Sequence, residues 1–408
     1  MISRYKKHNF FTIKKIQKRG IGVILYAFSN LSNPLFNIIL STILIKKISI
    51  SFWGEYVAIL LLANLFIIIL GWGNKEFLLR EFSRNPSKIN INWQTNLIQR
   101  FLLCFILIIF LYFFFDYSRQ RVLLIVLFIL SSFLYKSFEV LVLFKKAFLF
   151  STILEITGYI FLIGMITLFS SEKFSIDLLL LLMVTMMIFK CMGTLWYFRF
   201  DIFPLKYSYN FFSSRNTLLL ALPFFLPSLV GLIQAKIDLY CSIYFLSKYQ
   251  VGEYQVYMNL LSIPHVAATY IIMPFIKNIY RLPIESINKI ITRLSQIGII
   301  CSLPVILIIY IIIHKYYQFS FSIWMYVLGY LQLIPFFIYI FKIHLLFRFD
   351  QQKIIIWITL ITALFGFIIS ILFIPYWKIE GAISANLLTQ WLTLLFFVYS
   401  NRYIKSHE

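Results

Sequence analysis

Long apolar runs separated by short polar segments fill the chain from about residue 21 to residue 400. A helix needs about 20 apolar residues to cross the hydrocarbon core of a bilayer, and the sequence contains about twelve such runs. Most are unbroken stretches of Ile, Leu and Phe, whereas strands of a membrane β-barrel alternate apolar and polar residues. We therefore predict an all-α polytopic membrane protein with about 12 transmembrane helices, at residues 21–45, 56–73, 99–116, 122–144, 148–169, 177–198, 217–246, 254–275, 297–313, 321–341, 354–374 and 382–400.

The composition agrees with a chain whose main solvent is lipid. Of the 408 residues, 61% are hydrophobic and 13% are charged, whereas soluble domains carry roughly a quarter charged residues. The aromatic share of 19% suits a lipid-facing surface with interfacial belts of Trp and Tyr.

The net charge of +22 follows the expected membrane topology. Residues 1–20 form a basic arm, and placing this arm in the cytoplasm gives 26 Lys and Arg in the loops on that side against 8 on the other. Because short cytoplasmic loops retain positive residues, we predict an N-in, C-in topology. This distribution explains the charge without a nucleic-acid partner.

One short sequence occurs twice, as WGEY at residues 53–56 and as VGEY at residues 251–254. Gly54 and Gly252 are 198 residues apart, and Ser49 and Ser247 share the same offset. Six predicted helices fit in that interval, so both copies are expected in loops on the same, outer side. The two halves of the chain then have parallel orientation.

This repeat defines the predicted domains. Two six-helix lobes are expected at residues 21–198 and 217–400, with a cytoplasmic linker at 199–216 and a cytoplasmic tail at 401–408.

Polar residues form stripes along three of the predicted helices. The spacing i, i+3, i+7 and i+11 places residues on one helix face, and lipid would penalise that face, so it should point inward. Two stripes have this spacing: Asn30, Asn33, Asn37 and Ser41 in the first helix, and Gly231, Gln234, Asp238 and Ser242 in the seventh. A third, at i, i+3, i+6 and i+10, is Asn259, Ser262, His265 and Thr269 in the eighth. Two interpretations of the stripes stay open: they line a cavity, or they serve helix packing. For His265 the alternatives are a side chain that exchanges a proton and one that is simply hydrogen-bonded.

Six charged residues lie in the interior of the predicted spans, away from the span ends: Lys136, Glu139, Glu155, Lys190, Lys236 and Asp238. Lys136 and Glu139 are one helical turn apart and can pair. Glu155 and Lys190 lie at matching depths on neighbouring helices and can pair as well. Intramembrane charges are functional candidates by default, and structural neutralisation is the alternative for these two pairs.

Three segments have a recognisable order and spacing: "ISFWGEYVAILLLANL" (50–65), "ALPFFLPSLVGLIQAKIDLYCSIYFLSKYQVGEY" (221–254) and "IPYWKIEGAISANLL" (374–388). With the helix number, they resemble polysaccharide flippases of the O-antigen (Wzx) type, in the multidrug/oligosaccharidyl-lipid/polysaccharide exporter superfamily. The resemblance extends over nearly the whole chain.

The resemblance implies two lobes around a central cavity in a bacterial inner membrane. It implies outward movement of undecaprenyl-pyrophosphate-linked sugar repeat units by alternating access. A polymerase and a chain-length regulator of the same pathway are further expected partners.

A carrier of a pyrophosphate should offer positive charge, yet the six intramembrane charges sum to zero. The positive surplus lies at the predicted cytoplasmic ends of the second and eighth helices, where Lys75 and Arg80 correspond to Lys277 and Arg281. These four residues are the predicted headgroup-binding ring. Arg100 and Arg293, which begin the third and ninth predicted helices, are expected at the same cytoplasmic mouth. The positive-inside rule would place the same residues there without a ligand.

We expect no enzymatic activity, no cofactor and no metal, because the sequence has no nucleotide-binding P-loop, no catalytic triad spacing and no metal-ligand cluster. The four cysteines lie inside apolar runs and should be unpaired.

Three alternative functions stay open. A drug/cation antiporter would use Asp238 or Glu139, a peptidoglycan-precursor flippase usually has extra helices, and a membrane glycan polymerase usually needs a large outer loop.

Overall fold

We analysed a computed structural model, which describes residues 32, 34–114, 117–203, 211–272, 284–349 and 351–405. Throughout these residues the regular structure is helical, as predicted. The first helix, α1, covers residues 34–47. The helices that follow in the first half are α2 (Ile50–Gly71), α3 (Asn74–Arg84), α4 (Ile89–Phe114), α5 (Arg119–Ser137), α6 (Glu139–Lys145), α7 (Phe148–Leu168), α8 (Ile176–Tyr197) and α9 (Arg199–Ile202).

The second half contains longer helices, several of which include proline. They are α10 (Phe211–Phe245), α11 (Lys248–Ile272), α12 (Ile284–Ile311), which continues as a π-helical turn (Ile312–Tyr317), α13 (Ile323–Arg348) and α14 (Gln352–Lys405). Lys378, with φ 49° and ψ −125°, divides α14 into two helices, which correspond to the last two predicted spans.

Nine helices in the described part of the chain are long and apolar enough to cross a membrane, with Lys353–Ser400 counted as one. The predicted first span corresponds to α1, of which residues 34–47 are described. The predicted eighth span corresponds to α11, a 25-residue helix with several polar residues. The prediction of a polytopic all-helical protein is therefore confirmed.

The repeated GEY sequence is helical, so its predicted place in a loop was wrong. Trp53–Tyr56 lies in the first turns of α2, and Val251–Tyr254 lies in the first turns of α11. The repeat-related serines precede the two helices, since Ser49 Oγ accepts a hydrogen bond from the Phe52 amide (3.2 Å) and Ser247 Oγ from the Gln250 amide (3.3 Å). Both serines thus act as N-caps, and the real turns lie just before them.

The helices pack mainly on neighbours in the same half. Helix α5 lies against α8 and α2, whereas α14 lies against α10 and α13. The main contact between the halves is the packing of α2 on α11. A large hydrophobic core extends through both halves around this contact and includes Trp53, Tyr56, Tyr254 and Tyr257.

Short helices close the other end of the first half. A second hydrophobic cluster joins Phe77 and Phe82 of α3 to Phe138 and Phe198. Lys145 of α6 donates to Asp201 of α9 at 2.7 Å. We refer to the end of the molecule that carries Gly54 and Gly252 as the GEY face, and to the end that carries α3 as the α3 face.

Candidate functional site: charged cavities in the first half

Two adjoining cavities in the first half contain most of the charged residues predicted within the membrane. The Glu155 cavity, of about 210 Å³, is lined by residues that include Asn37, Asn64, Tyr135, Lys136, Glu155 and Lys190. The Lys75 cavity, of about 190 Å³, is lined by residues that include Lys75, Glu76, Arg100, Lys136, Glu139 and Ser228. Lys136 and Ile67 line both cavities, so the two cavities adjoin at these residues.

The Glu155 cavity has a buried ion pair at its centre. Lys190 Nζ donates to Glu155 Oε2 at 2.6 Å, and the Tyr135 hydroxyl donates to the second oxygen, Oε1, at 2.7 Å. The Lys190 ammonium also lies 4.0 Å from the centre of the Tyr159 ring, within cation–π distance. The predicted pairing of Glu155 with Lys190 is present, and two tyrosines complete the shell around it.

The Lys75 cavity contains a different pair from the predicted one. Glu139 Oε1 accepts from Lys75 Nζ at 2.7 Å, and the described residues show no ion pair between Lys136 and Glu139. The sequence spacing made Lys136 the nearest cation along the helix, but α5 ends at Ser137 and Glu139 starts α6. The break turns the carboxylate toward the start of α3, where Lys75 lies.

Lys75 is placed by a left-handed break between α2 and α3. Trp72 has φ 43° and Gly73 has φ 64°, which favours glycine at the second position. A Cβ on Gly73 would also come within 2.7 Å of the Phe225 backbone nitrogen on α10. The Trp72 ring stacks on Phe225 at 4.2 Å, so α10 covers the break.

Arg100 was expected at the mouth of the protein, at the start of the third helix, but it is buried on α4 with 1% of its surface exposed. Its Nε donates to Asn96 Oδ1 at 2.7 Å, and Nη2 donates to Ser137 Oγ at 3.2 Å. Within the described residues, its hydrogen-bond acceptors are neutral. A guanidinium without a carboxylate partner therefore lines the Lys75 cavity.

Polar side chains of α10 form hydrogen bonds with other helices of the second half. Gln234 Nε2 donates to Thr362 Oγ1 at 2.7 Å and to Thr393 Oγ1 at 3.1 Å. Asp238 is 2% exposed, and its Oδ2 accepts from the Tyr254 hydroxyl and from Asn386 Nδ2, the latter at 2.9 Å. Gln234 and Asp238 thus take part in helix packing, and the expectation that both stripes line one cavity stays a prediction.

Asp238 is part of a chain of polar side chains in the second half. Asn386 is held by Gln332 Nε2, which donates to its Oδ1 at 2.8 Å. Asp238 Oδ1 has no hydrogen-bond partner among the described residues. Tyr254 belongs to the second GEY sequence and Asn386 to the segment 374–388, so both lie in motifs that the sequence singled out without assigning these residues a role.

The other predicted residues are dispersed. Asn259 Oδ1 accepts from Gln255 Nε2 at 2.9 Å. The His265 ring nitrogen Nδ1 lies 3.0 Å from the Leu261 carbonyl oxygen, and the ring meets Phe336 edge-on at 4.4 Å. Lys236 is half-buried and Arg80 is exposed. Asn30, Asn33, Lys277 and Arg281 lie outside the described residues, so the headgroup ring stays a prediction.

At the GEY face the two halves meet through the repeated glycines. A Cβ on Gly54 would collide with the carbonyl oxygen of Lys248, and one on Gly252 would lie 2.6 Å from the carbonyl oxygen of Ile50. Only glycine at both positions allows the α2 and α11 backbones to approach this closely. The repeat is thus a crossing between equivalent helices of the two halves.

Ion pairs surround this crossing. Glu55 Oε2 accepts from Lys248 Nζ at 2.7 Å, which links the halves, and Glu55 Oε1 accepts from Arg121 Nη1 at 2.9 Å. Arg121 Nε also donates to Asp177 Oδ1 at 2.7 Å. Burial raises the pKa of the nearby Tyr117 hydroxyl, and the negative charge of Glu55 raises it further.

A second contact between the halves lies beside the crossing. The Tyr317 hydroxyl, in the π-helical turn, lies 2.6 Å from Thr42 Oγ1 on α1. In this structure the GEY face is therefore closed by glycine packing, an ion pair and a hydroxyl contact.

The described residues contain no group of three or more His, Cys, Asp and Glu side chains that could hold a metal ion. The four cysteines are free, with Cys104 and Cys241 buried and Cys301 exposed.

No family model matches the sequence, and neither does any curated protein. The fold is nevertheless similar to solved transporters. A structure described as the lipid II flippase MurJ in an inward closed conformation matches with a TM-score of 0.67 at 15% identity, over 93% of this chain and 87% of that one. An outward-facing multidrug resistance MATE family transporter of the MOP superfamily matches with a TM-score of 0.64 at 12% identity, over 94% of each chain.

An inward-facing MATE family transporter gives a TM-score of 0.63 at 11% identity, over 93% of this chain and 95% of that one. The chain therefore has the two-lobe fold of MOP-superfamily transporters, and the structures it resembles are transporters and flippases rather than enzymes.

Proposed function

We propose that the protein is a flippase that moves undecaprenyl-pyrophosphate-linked oligosaccharide repeat units, of O-antigen or a related surface polysaccharide, from the inner to the outer leaflet. The observation that carries the proposal is the pair of adjoining cavities in the first half. Their lining has four cations, Lys75, Arg100, Lys136 and Lys190, against three carboxylates, Glu76, Glu139 and Glu155. Polar, cation-rich space at membrane depth suits an anionic headgroup, and the fold likeness to a lipid II flippase supports a lipid-linked substrate.

The proposed mechanism is alternating access in a bacterial inner membrane with both termini in the cytoplasm. In this orientation the GEY face is the outer face, and the structure is closed there. The predicted ring receives the diphosphate at the cytoplasmic mouth through Lys75, Arg80, Lys277 and Arg281, and the headgroup then reaches the cavities. The lipid tail stays in the bilayer, and separation of α2 from α11 opens the GEY face.

The direct test of the substrate is the lipid-linked intermediate that accumulates when the protein is deleted. We expect an undecaprenyl-pyrophosphate-linked repeat unit to accumulate and surface polysaccharide to fall, and the intact gene should restore both. Arg80→Ala should complement poorly and Arg80→Lys partly, because lysine keeps the charge but loses the bidentate fork.

Each alternative predicts a different result of the same deletion. Accumulation of lipid II would identify a peptidoglycan-precursor flippase. A changed chain-length distribution with normal delivery of repeat units to the outer leaflet would indicate a polymerase. Both outcomes would contradict the proposal.

One observation favours a second candidate, a drug/cation antiporter. Asp238 is a buried carboxylate with one oxygen unpartnered among the described residues, and a cation or a proton could neutralise it. Asp238→Asn should then abolish ion-coupled drug efflux from vesicles. A flippase that does not exchange drugs would leave efflux at the level of vesicles without the protein.

A further inference from the structure

Arg100 is fixed in an orientation that leaves part of its guanidinium unused. Arginine has five N–H donors in a rigid fork, and the described structure uses two of them, on Asn96 and Ser137. The ring of Phe133 lies 5.0 Å from the guanidinium carbon and supports its face. A buried positive charge without a negative partner is costly, so this arrangement calls for an anion from elsewhere.

Lys136 provides a second cation at the same place. It lines the Lys75 cavity together with Arg100, and its side chain is exposed. The carboxylate nearest along the chain, Glu139, accepts from Lys75 instead. Among the described residues Lys136 forms no ion pair, so its ammonium is available to a ligand.

We propose that Arg100 and Lys136 together form a binding site for a phosphate group in the Lys75 cavity. The ligand is a phosphate or pyrophosphate, supplied by a lipid headgroup or by the free ion. Arginine binds a phosphate through paired hydrogen bonds, and lysine adds a point charge. This inference rests on the proposed function and places headgroup binding inside the first half, beyond the predicted ring at the mouth.

The size of the cavity agrees with a ligand of this class. Pockets for drug-sized molecules measure roughly 300–1,000 Å³, whereas the Lys75 cavity has about 190 Å³. The cavity is therefore suited to a headgroup and too small for a whole glycan. Ser228 of α10 also lines it, so a bound headgroup would contact both halves of the chain.

The test is a binding measurement on the full chain purified in mild detergent, by calorimetry with inorganic pyrophosphate and with a short-chain polyprenyl pyrophosphate. Lys136→Gln should weaken binding of the ligand roughly tenfold to hundredfold, the effect of one lost charge-assisted contact. Lys136→Arg should keep most of the affinity. Lys88→Gln is the matched control, because it removes an exposed positive charge from the α3 face and should change affinity less than twofold.

Arg100→Lys extends the test, and size-exclusion chromatography shows whether this buried variant folds. If it does not, Lys136→Gln decides alone. Tighter binding of the polyprenyl form than of inorganic pyrophosphate identifies the lipid headgroup as the source, and equal binding identifies the free ion. No binding by the unmodified protein, or equal affinities in Lys136→Gln and Lys88→Gln, would overturn the site.

Translocation in proteoliposomes, measured in parallel, separates this site from the proposed function. If Lys136→Gln loses binding but the unmodified protein shows no translocation, the site is retained and the flippase is rejected. If Lys136→Gln leaves both binding and translocation unchanged, the site is rejected and the flippase is retained.

Discussion

At the residue scale, Gly54 and Gly252 explain why the chain contains the same short sequence twice. Each glycine faces the backbone of the other helix, and a side chain on either one would force α2 and α11 apart. The contact is formed by equivalent residues of the two parallel halves, so one sequence serves both sides of it. Close approach through small residues is a general means of packing membrane helices.

Gly54→Ala should therefore destabilise the protein although alanine is the better helix former. We expect a loss of about 1–3 kcal/mol, the usual cost of overpacking a tight contact. Gly164→Ala is the matched control, because a Cβ on Gly164 in α7 meets nothing within 4 Å. Unfolding in mild detergent measures both variants. A Gly54→Ala protein as stable as the Gly164→Ala protein would contradict the packing account.

The ion pair of Glu155 and Lys190 gives a second prediction at this scale. Lys190 is 1% exposed and Glu155 is 12% exposed, so Glu155→Gln leaves a buried ammonium without its partner. Loss of one member of a buried pair costs about 3–5 kcal/mol, and the double variant with Lys190→Gln should recover part of this loss.

The control for this variant is Lys145→Gln, which breaks the half-exposed pair with Asp201. Pairs of that kind contribute about 0–1 kcal/mol. Equal losses of stability in Glu155→Gln and Lys145→Gln would show that burial of the first pair has no special role.

The sequence predicted one of the two intramembrane pairs. Glu155 and Lys190 were paired because they lie at the same depth on neighbouring helices, and depth is a property of the whole helix bundle. Lys136 and Glu139 were matched by spacing within one helix, and the break after Ser137 removes that premise. The break also explains why Glu139 pairs with Lys75 and not with Lys136. Lys75 lies far from Glu139 in sequence and follows a left-handed turn that apolar periodicity does not indicate.

At the element scale, the contact between α2 and α11 is the main packing between the two halves and lies at the GEY face. Lys248 on α11 and Glu55 on α2 join the two halves directly, at 2.7 Å. In the proposed alternating-access mechanism these two helices separate in each cycle, and the proposal therefore requires a reversible contact.

A thiol cross-link between Glu55→Cys and Lys248→Cys should therefore stop transport, and reduction should restore it. The background is a variant with the four native cysteines replaced. The control pair is Ser322→Cys with Glu380→Cys, whose native side chains are hydrogen-bonded at 2.6 Å within the second half. This control should stay active when it is cross-linked. Full activity of the cross-linked α2–α11 pair would rule out opening at the GEY face.

Helix starts were harder to predict than helices. Apolar periodicity placed the second and eighth spans after the GEY sequences, but the helices begin at Ile50 and Lys248, just after their capping serines. The first turns carry polar residues because they hold the ion pairs and the glycine crossing. The offset shared by Ser49 and Ser247 was the available signal, since serine is a preferred N-cap residue.

At the scale of the whole molecule, the charge asymmetry between the loops gives the orientation. The excess of 26 over 8 basic residues predicts that the α3 face lies in the cytoplasm and the GEY face outside. Cysteine probes at Asn85 and Glu172 suit a test, because both residues are exposed, whereas Glu253 is buried.

A membrane-impermeant thiol reagent added to intact cells should label the probe at Glu172 and not the probe at Asn85. Permeabilised cells are the control, in which both probes should react. Labelling of the Asn85 probe alone in intact cells would show that the topology is the inverse of the predicted one, and it would contradict the proposed direction of transport.

The fold as a whole was predictable because hydrophobic run length and the internal repeat act over the entire chain. The candidate site was predictable only in part. The charged residues are visible in the sequence, but their pattern placed Arg100 at the mouth of the protein and did not indicate the contact of Asp238 with Asn386. Their positions depend on which helices pack together, and the linear pattern does not contain that information.

The most direct test of the central claim is translocation in proteoliposomes. The purified protein is reconstituted with a polyprenyl-pyrophosphate-linked oligosaccharide on one leaflet, and a glycan-binding probe reports its arrival on the other. The account predicts translocation faster than in protein-free liposomes, and arrest when the Glu55→Cys and Lys248→Cys pair is cross-linked. Arrival of the glycan at the protein-free rate, with protein shown to be inserted and monodisperse, would contradict it.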